Sequence, residues 1–410
     1  FGSGDHGAAE MRGLLEALAG RMIAPGPSGS PYRGRSDVMP TGRNLFTTDP
    51  RAVPSRAAQA QGVKLAEELL RRHLQDHGDW PRGLVVDLWG SATMRTAGEE
   101  FAMALHLAGL APLWDKGSER VSGFEVIPLA LLGRPRIDVT LRVSGLFRDV
   151  FPGLAQMFEA AAAALSAREE DPGDNPYLTA TPRVFGPKPG QYGLNMTAHL
   201  DDYSDEARAA AGEAWLKASS HAIDAKGEIH EARAALEDRL QSADSFVHLQ
   251  DLAETDVLVA SDYAAHEAGF AAAMTRLGHD APSLYHMDAT RLGTPQARSL
   301  QEEIARVTRA RASDPHWATS MMNHGFRGGA EIAATLDHMA AFAHLAQVVP
   351  AHLFDLYFEA TLGREDLVGF LERENPAALQ AMRDRFQALR EAGLWVTRRN
   401  SILATLEGAA

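Results

Sequence analysis

The sequence contains no cysteine. Disulfides, thiolate metal sites and cysteine nucleophiles are therefore excluded, which is compatible with a reducing cytoplasm without proving one. It also lacks any run of roughly 18 apolar residues, so no membrane-spanning helix is expected. No signal or transit peptide is visible, although the chain begins at Phe1 rather than Met, which suggests a fragment or a processed chain. Positive charge is in deficit: 40 Lys and Arg face 54 Asp and Glu, a net charge of −14. Such a surface is unsuited to neutralising phosphates, which argues against a nucleic-acid partner. No Gly-Lys pair occurs, so there is no phosphate-binding loop and ATP hydrolysis does not belong to this chain. Gly2-Ser-Gly4 and Gly26-Pro-Ser-Gly29 follow no strand and are not dinucleotide fingerprints. The His-Glu-x-x-His zinc helix and the Gly-x-Ser-x-Gly elbow are missing too. Lysine is scarce beside arginine. Either GC-rich coding explains this, or guanidinium forks suited to carboxylate-rich ligands do.

What is present describes a globular enzyme: 410 residues, 45% hydrophobic and 23% charged. That length predicts two or three subdomains. Residues 8–20 read as a helix, 24–42 as irregular and 54–77 as a helix. Gly83-Leu-Val-Val-Asp-Leu-Trp89 is short, β-branched and bounded by Gly, as a buried strand should be. A helix over 94–107 and strands near 112–114, 124–129 and 137–144 follow, then a helix over 151–167. Residues 171–193 are rich in Pro, Gly and Asn and read as a boundary. Helices fill 204–240, and strands at 246–249 and 283–286 flank a helix over 263–277. Beyond 295 nearly everything is helical: 296–312, 315–322, 328–347, 350–361 and 376–391. The expected fold class is α/β, a largely parallel sheet with flanking helices followed by a mostly helical C-terminal region. The expected segments are 1–45 (irregular, with a helix), 46–170 (α/β), 171–294 (linker, helices and further strands) and 295–410 (helical).

Four polar clusters follow predicted strands: Gly90-Ser-Ala-Thr-Met-Arg95, Ser144-Gly-Leu-Phe-Arg-Asp149, Gln250-Asp251 and Met287-Asp288. Ligands of open parallel sheets bind outside the carboxyl ends of the strands, so these clusters are candidates to line one cleft. Turns after strands are commonly polar in any case. Asp251, Asp256 and Asp262 lie close in sequence, and His286 stands two residues before Asp288. Oxygen and imidazole donors of this kind suit divalent cations, cobalt included. Asp256 and Asp262 equally suit helix caps, and His324-Gly325 suits a helix corner.

Certain blocks carry a resemblance. Pro25-Gly-Pro-Ser-Gly-Ser-Pro-Tyr-Arg-Gly-Arg-Ser-Asp37 with Pro40-Thr-Gly-Arg-Asn44, and Leu74-Gln-Asp-His-Gly-Asp-Trp-Pro81, closely resemble large subunits of aerobic cobaltochelatase, a family related to the large subunits of magnesium chelatase. So do Leu132-Gly-Arg-Pro-Arg-Ile-Asp-Val139, Arg183-Val-Phe-Gly186, Tyr192-Gly193, Tyr285-His286, Asp288, Arg298-Ser-Leu300 and His324-Gly325 with Glu331-Ile332. The chain departs from the family after Asp262-Tyr263, where Ala264-Ala-His-Glu267 replaces an acidic, Tyr-rich run, and at Met287 and Ala289. The family's His-Gly-x-x-Gly-x-Leu-Glu motif has no counterpart here.

The resemblance implies the C-terminal part of the subunit that inserts Co²⁺, as substrate, into hydrogenobyrinic acid a,c-diamide during cobalamin synthesis. ATP and Mg²⁺ would be used by AAA+ partner subunits. Asp288 and His286 become candidates for metal relay or proton acceptance. Arg95, Arg136 and Arg148, with Tyr192, become candidates for holding the ring's carboxylates. Asp256, Asp288 and His324 become candidate metal ligands. The alternatives are a non-catalytic module that binds tetrapyrrole and docks the motor, or a magnesium-chelatase-like protein inserting Mg²⁺ into protoporphyrin.

Overall fold

The computed structural model describes residues 6–29, 31–33, 38–46 and 48–408. Gly2-Ser-Gly4 and residues 34–37 of the Pro25 motif lie outside them. The chain is α/β, with a largely parallel sheet, flanking helices and a mostly helical C-terminal region. It forms two compact units that are not continuous in sequence. The first holds residues 1–192, 219–244 and 287–296; the second holds 193–218, 245–286 and 297–410. The four contiguous segments expected from sequence therefore do not coincide with the units, because the chain crosses between them within its strand-bearing stretches. Among the described residues no helix is long and apolar enough to cross a membrane.

In the first unit β1 (Pro25–Pro27) pairs in parallel with β2 (Asn44–Phe46). The central strands are β3 (Gly83–Leu88) and β6 (Asp138–Val143), parallel and in register from Gly83↔Asp138 to Leu88↔Val143. Every residue of β3 is buried, which explains its unbroken apolar reading. Between them β4 (Leu110–Trp114) and β5 (Val121–Val126) form a separate antiparallel hairpin. Outward from β6 lie β7 (Val184–Gly186), parallel, then β8 (His221–Ile223) and β9 (Ile229–Glu231), both antiparallel. These three-residue strands fall inside stretches expected to be loop or helix. They are too short to display an alternation, and Asp224 Oδ1 closes the β8–β9 turn by accepting the N–H groups of Lys226 and Glu228.

The helix Arg56–His77 begins at Ser55, whose Oγ accepts the Ala58 N–H, and ends at Gly78, φ +76°. It packs on the helix Glu99–Leu107. The single helix expected over 94–107 is broken into Gly90–Thr96 and Glu99–Leu107 by left-handed Ala97 and Gly98. Thr96 Oγ1 holds that break by accepting from Gly98 and Glu99.

The second unit carries β10 (Ser245–Gln250) and the first residues of β11 (Ser283–Asp288). The strand β12 (Gln296–Ser299) starts where helix was expected, and Ser299 with Glu302 then forms a capping box for Leu300–Val307. Gly212 lets the helix Asp205–Lys217 meet Gly269–Arg276, where a Cβ would lie 2.4 Å from the Ala272 carbonyl oxygen. The C-terminal helices close on Phe354, Phe358, Phe386 and Trp395, whose indole N–H donates to Asp355 at 2.8 Å. A helix at Glu365–Glu374, not expected from sequence, fills the gap between the last two predicted ones.

Gly62, in Arg56–His77, faces Ala102 and Met103; a Cβ there would stand 2.6 and 2.7 Å from their atoms. Gly→Ala in a helix ordinarily gains up to about 1 kcal/mol. Overpacking at this crossing costs about 1–3 kcal/mol and wins. Gly62→Ala is therefore expected to lower the urea midpoint, measured by far-UV circular dichroism.

Candidate functional site

At the carboxyl ends of β3 and β6 two of the predicted clusters meet. Ser144 follows β6 in extended backbone, and its Oγ accepts from the Phe147 N–H, capping the helix Gly145–Val150. The same oxygen accepts from the Gly90 N–H at 3.0 Å, tying down the first turn after β3. Gly90 must be glycine here, since a Cβ would come within 2.5 Å of the Phe147 nitrogen. Arg95, in the last turn of Gly90–Thr96, is half-buried.

Arg148 is buried. Its Nε and Nη2 grip Asp149 at 2.6 and 2.9 Å, and Nη1 donates to the carbonyls of Pro187, Lys188 and Gln191. It thus fastens the loop after β7 onto the end of β6. Tyr192, on that loop, is 56% exposed. Its hydroxyl donates to Asp149 Oδ2 at 2.5 Å, and its ring lies 5.5 Å from the Arg148 guanidinium carbon. The Arg148 fork holds the Asp149 carboxyl below the usual range, and the Asp149 bond raises the Tyr192 phenol. The surface presented here is an aromatic face beside a fixed carboxylate, with the arginine behind it.

Arg136 lies elsewhere in the first unit and is 1% exposed. Nε and Nη2 bind Glu170, both at 2.8 Å, while the carbonyls of Ala108, Gly109 and Ile127 take the remaining N–H groups. All five donors are engaged inside the protein. The expected ring clamp at Arg136 is thus corrected to an internal brace. Its fork, helped by Arg168, pushes Glu170 down to about 2.

Asp288 ends β11 half-buried, with Oδ1 accepting from the Thr290 N–H at 3.0 Å and the Thr290 hydroxyl at 2.7 Å. In the second unit His286 is fully buried. Its Nδ1 faces both oxygens of Glu267, at 3.0 and 3.1 Å, and its Nε2 meets Gln250 Oε1 at 2.9 Å. Sequence reasoning missed Glu267 and Gln250 as its partners. The Ala-Ala-His-Glu departure was visible, but only the packing of β10, β11 and the helical segment reveals its purpose. Asp256 receives a two-point grip from Arg311 at 2.6 and 2.9 Å and accepts the Leu258 N–H. His324 is exposed at the start of the helix Gly325–Ala346. Among the described residues no group of three or more His, Asp or Glu side chains is placed to hold a metal ion. Asp256, one of the candidate metal ligands, is already neutralised by a guanidinium.

A family model described as CobN/Magnesium Chelatase matches residues 4–402. The chain is 44% identical to the aerobic cobaltochelatase subunit CobN of Sinorhizobium sp, over 98% of this chain and 33% of that protein. It is 40% identical to the protein of the same name from Pseudomonas aeruginosa (95% and 33%). To the large magnesium-chelatase protein of Cereibacter sphaeroides it is 30% identical (98% and 34%). A solved structure, the catalytic subunit of cobaltochelatase from Mycobacterium tuberculosis, superposes with a TM-score of 0.89 at 35% identity, covering 98% of this chain and 36% of that one. The chain spans about a third of the length of these relatives.

Two outcomes follow for the Arg136–Glu170 brace. Arg136→Ala is expected to cost about 3–5 kcal/mol in denaturant unfolding, since it leaves three carbonyls without their donor and takes two hydrogen bonds from Glu170. The folded pKa of Glu170 is depressed, so its contribution is complete above about 4.3 and is lost as pH falls towards about 2. Glu170→Gln should flatten the pH dependence of unfolding across that window.

Proposed function

Because the chain belongs to the CobN/magnesium chelatase family, we propose that it forms the tetrapyrrole-handling C-terminal part of an ATP-dependent cobaltochelatase. The substrates on this reading are Co²⁺ and hydrogenobyrinic acid a,c-diamide, the setting is cytoplasmic cobalamin synthesis, and AAA+ partner subunits bind and hydrolyse ATP with Mg²⁺. The observation that carries it is the near end-to-end likeness to two cobalt-named relatives, at 44% and 40% identity against 30% for the magnesium-named one.

Insertion requires a dehydrated ion, a distorted ring and removal of the ring's N–H proton. Carboxylates assist the first by replacing water and the last by accepting protons. Asp288 is the carboxylate assigned to this chemistry, its orientation set by the Thr290 turn. Tyr192 is assigned to the ring, offering an exposed aromatic face beside the Asp149 carboxylate. Arg148 acts through these two rather than on the ring, and Arg95 keeps its assignment to the ring's acidic side chains. A second reading, a binding and docking module without catalytic residues, is favoured by the internal engagement of Arg136, Arg148 and Asp256.

With the full-length protein, its ATPase partners and ATP, Asp288→Asn should reduce cobalt insertion by about 10²-fold or more, followed by the visible absorbance of the metallated ring. Unchanged turnover would move the chemistry out of this chain and leave the docking reading. Tyr192→Ala should weaken ring binding, read as a smaller absorbance shift on titration.

A further inference from the structure

The buried group around His286 has a direction that its distances alone do not state. Gln250 Nε2 donates to two backbone carbonyls, Leu252 at 3.0 Å and Thr255 at 2.5 Å. A carbonyl can only accept, so the amide nitrogen must lie on that side and Gln250 Oε1 must face His286. An amide oxygen accepts, and therefore the hydrogen of this contact sits on His286 Nε2. The other ring nitrogen is held between the two oxygens of Glu267, so the ring cannot turn without losing both partners. His286, Glu267 and Gln250 are at most 5% exposed, which makes an unmade bond here expensive. Thr255 is braced a second time by its hydroxyl, 3.1 Å from that of Tyr263. The segment so held, Asp251 to Asp256, is the acidic stretch that follows β10, and Asp256 closes it by accepting from Leu258 and from Arg311.

We propose that His286 is a positioning residue: it donates from Nε2 to Gln250, and through that amide it holds the acidic loop Asp251–Asp256 in shape. On this account it is neither a proton acceptor nor a metal ligand, because both ring nitrogens are engaged within the fold. The chain of contacts runs from Glu267 to His286, to Gln250, to the carbonyls of Leu252 and Thr255. Glu303, beside His286 and fully buried, is balanced by Arg298 and Arg306 and stands outside this chain of donors. The inference rests on the chelatase reading only for what the loop's carboxylates would act on. Its tests read hydrogen bonds and exchange rather than turnover, so the two can fail separately.

In the 410-residue chain labelled with ¹⁵N-histidine, the Nε2 of His286 should show a directly bonded proton, assigned by its disappearance in His286→Gln. An unprotonated Nε2 would overturn the proposal. Gln250→Leu should speed amide exchange across residues 252–259 by about tenfold, the loss of two backbone clamps. Gln250→Glu should do the same, since it can still accept from His286 but has nothing to donate to the carbonyls. Normal exchange in both variants refutes the clamp. His286→Leu leaves Glu267 buried beside an apolar side chain, so it is best compared on a Glu267→Gln background. There His286→Gln, whose amide nitrogen stands near the place of Nε2, should keep the loop protected and His286→Leu should not. Equal protection in the two would reduce His286 to a space-filling residue.

Discussion

A buried guanidinium presents five N–H donors and keeps its charge at every working pH, so each must be surrounded by a full set of acceptors. Among the described residues of the first unit, six arginines are buried: Arg33, Arg136, Arg142, Arg148, Arg183 and Arg239. Each reaches a partner distant in sequence or fastens a loop. Arg33 grips Glu99, Arg142 meets Asp87 on the neighbouring strand, and Arg183 and Arg239 converge on Asp138. The net stabilisation from such pairs is small beside that of the apolar core, but breaking one leaves an uncompensated charge inside the protein. In a chain without cysteine these forks fix which segments lie together. β3 and β6 carry one such pair in register, Asp87 opposite Arg142, and the candidate site is built on the ends of those two strands.

This constraint sorts the polar residues by availability. A guanidinium whose five donors are met inside the fold has none left for a ligand, which removes Arg136 from the substrate side. Arg148 is bound to Asp149 and to the loop carbonyls, and this presents Asp149 and the exposed Tyr192 at the surface. The same logic applies to His286, whose two nitrogens are both engaged. Polar clusters at strand ends thus divide into groups that display a side chain and groups that hold another in place. Sequence proximity to a strand end does not distinguish them.

Much of the fold was legible in the sequence. β3, buried along its whole length, and the amphipathic helices from Arg56–His77 to Pro376–Glu391 follow from periodicity and length. What escaped includes the helix Glu365–Glu374 and the strands β1, β2, β7, β8, β9 and β12, each strand three or four residues long and shaped by its neighbours rather than by its own pattern. The break at Ala97 and Gly98 escaped for a similar reason, since Thr96 stabilises it only once the chain has turned. Of the candidate site, Ser144, Arg148, Asp149 and Tyr192 were singled out as residues and do meet. Their division of labour was not visible.

By itself the sequence determined the α/β class, the absence of a phosphate-binding loop, the acidic surface and the family blocks. All of these depend on residue type and short-range order. Only the tertiary structure decided which charges are committed to each other. Gln250 and Glu267 come to His286 from 36 and 19 residues away, and Glu170 comes to Arg136 from 34. Contacts at those separations are set by how the strands and helices pack, and no local pattern of residues records them.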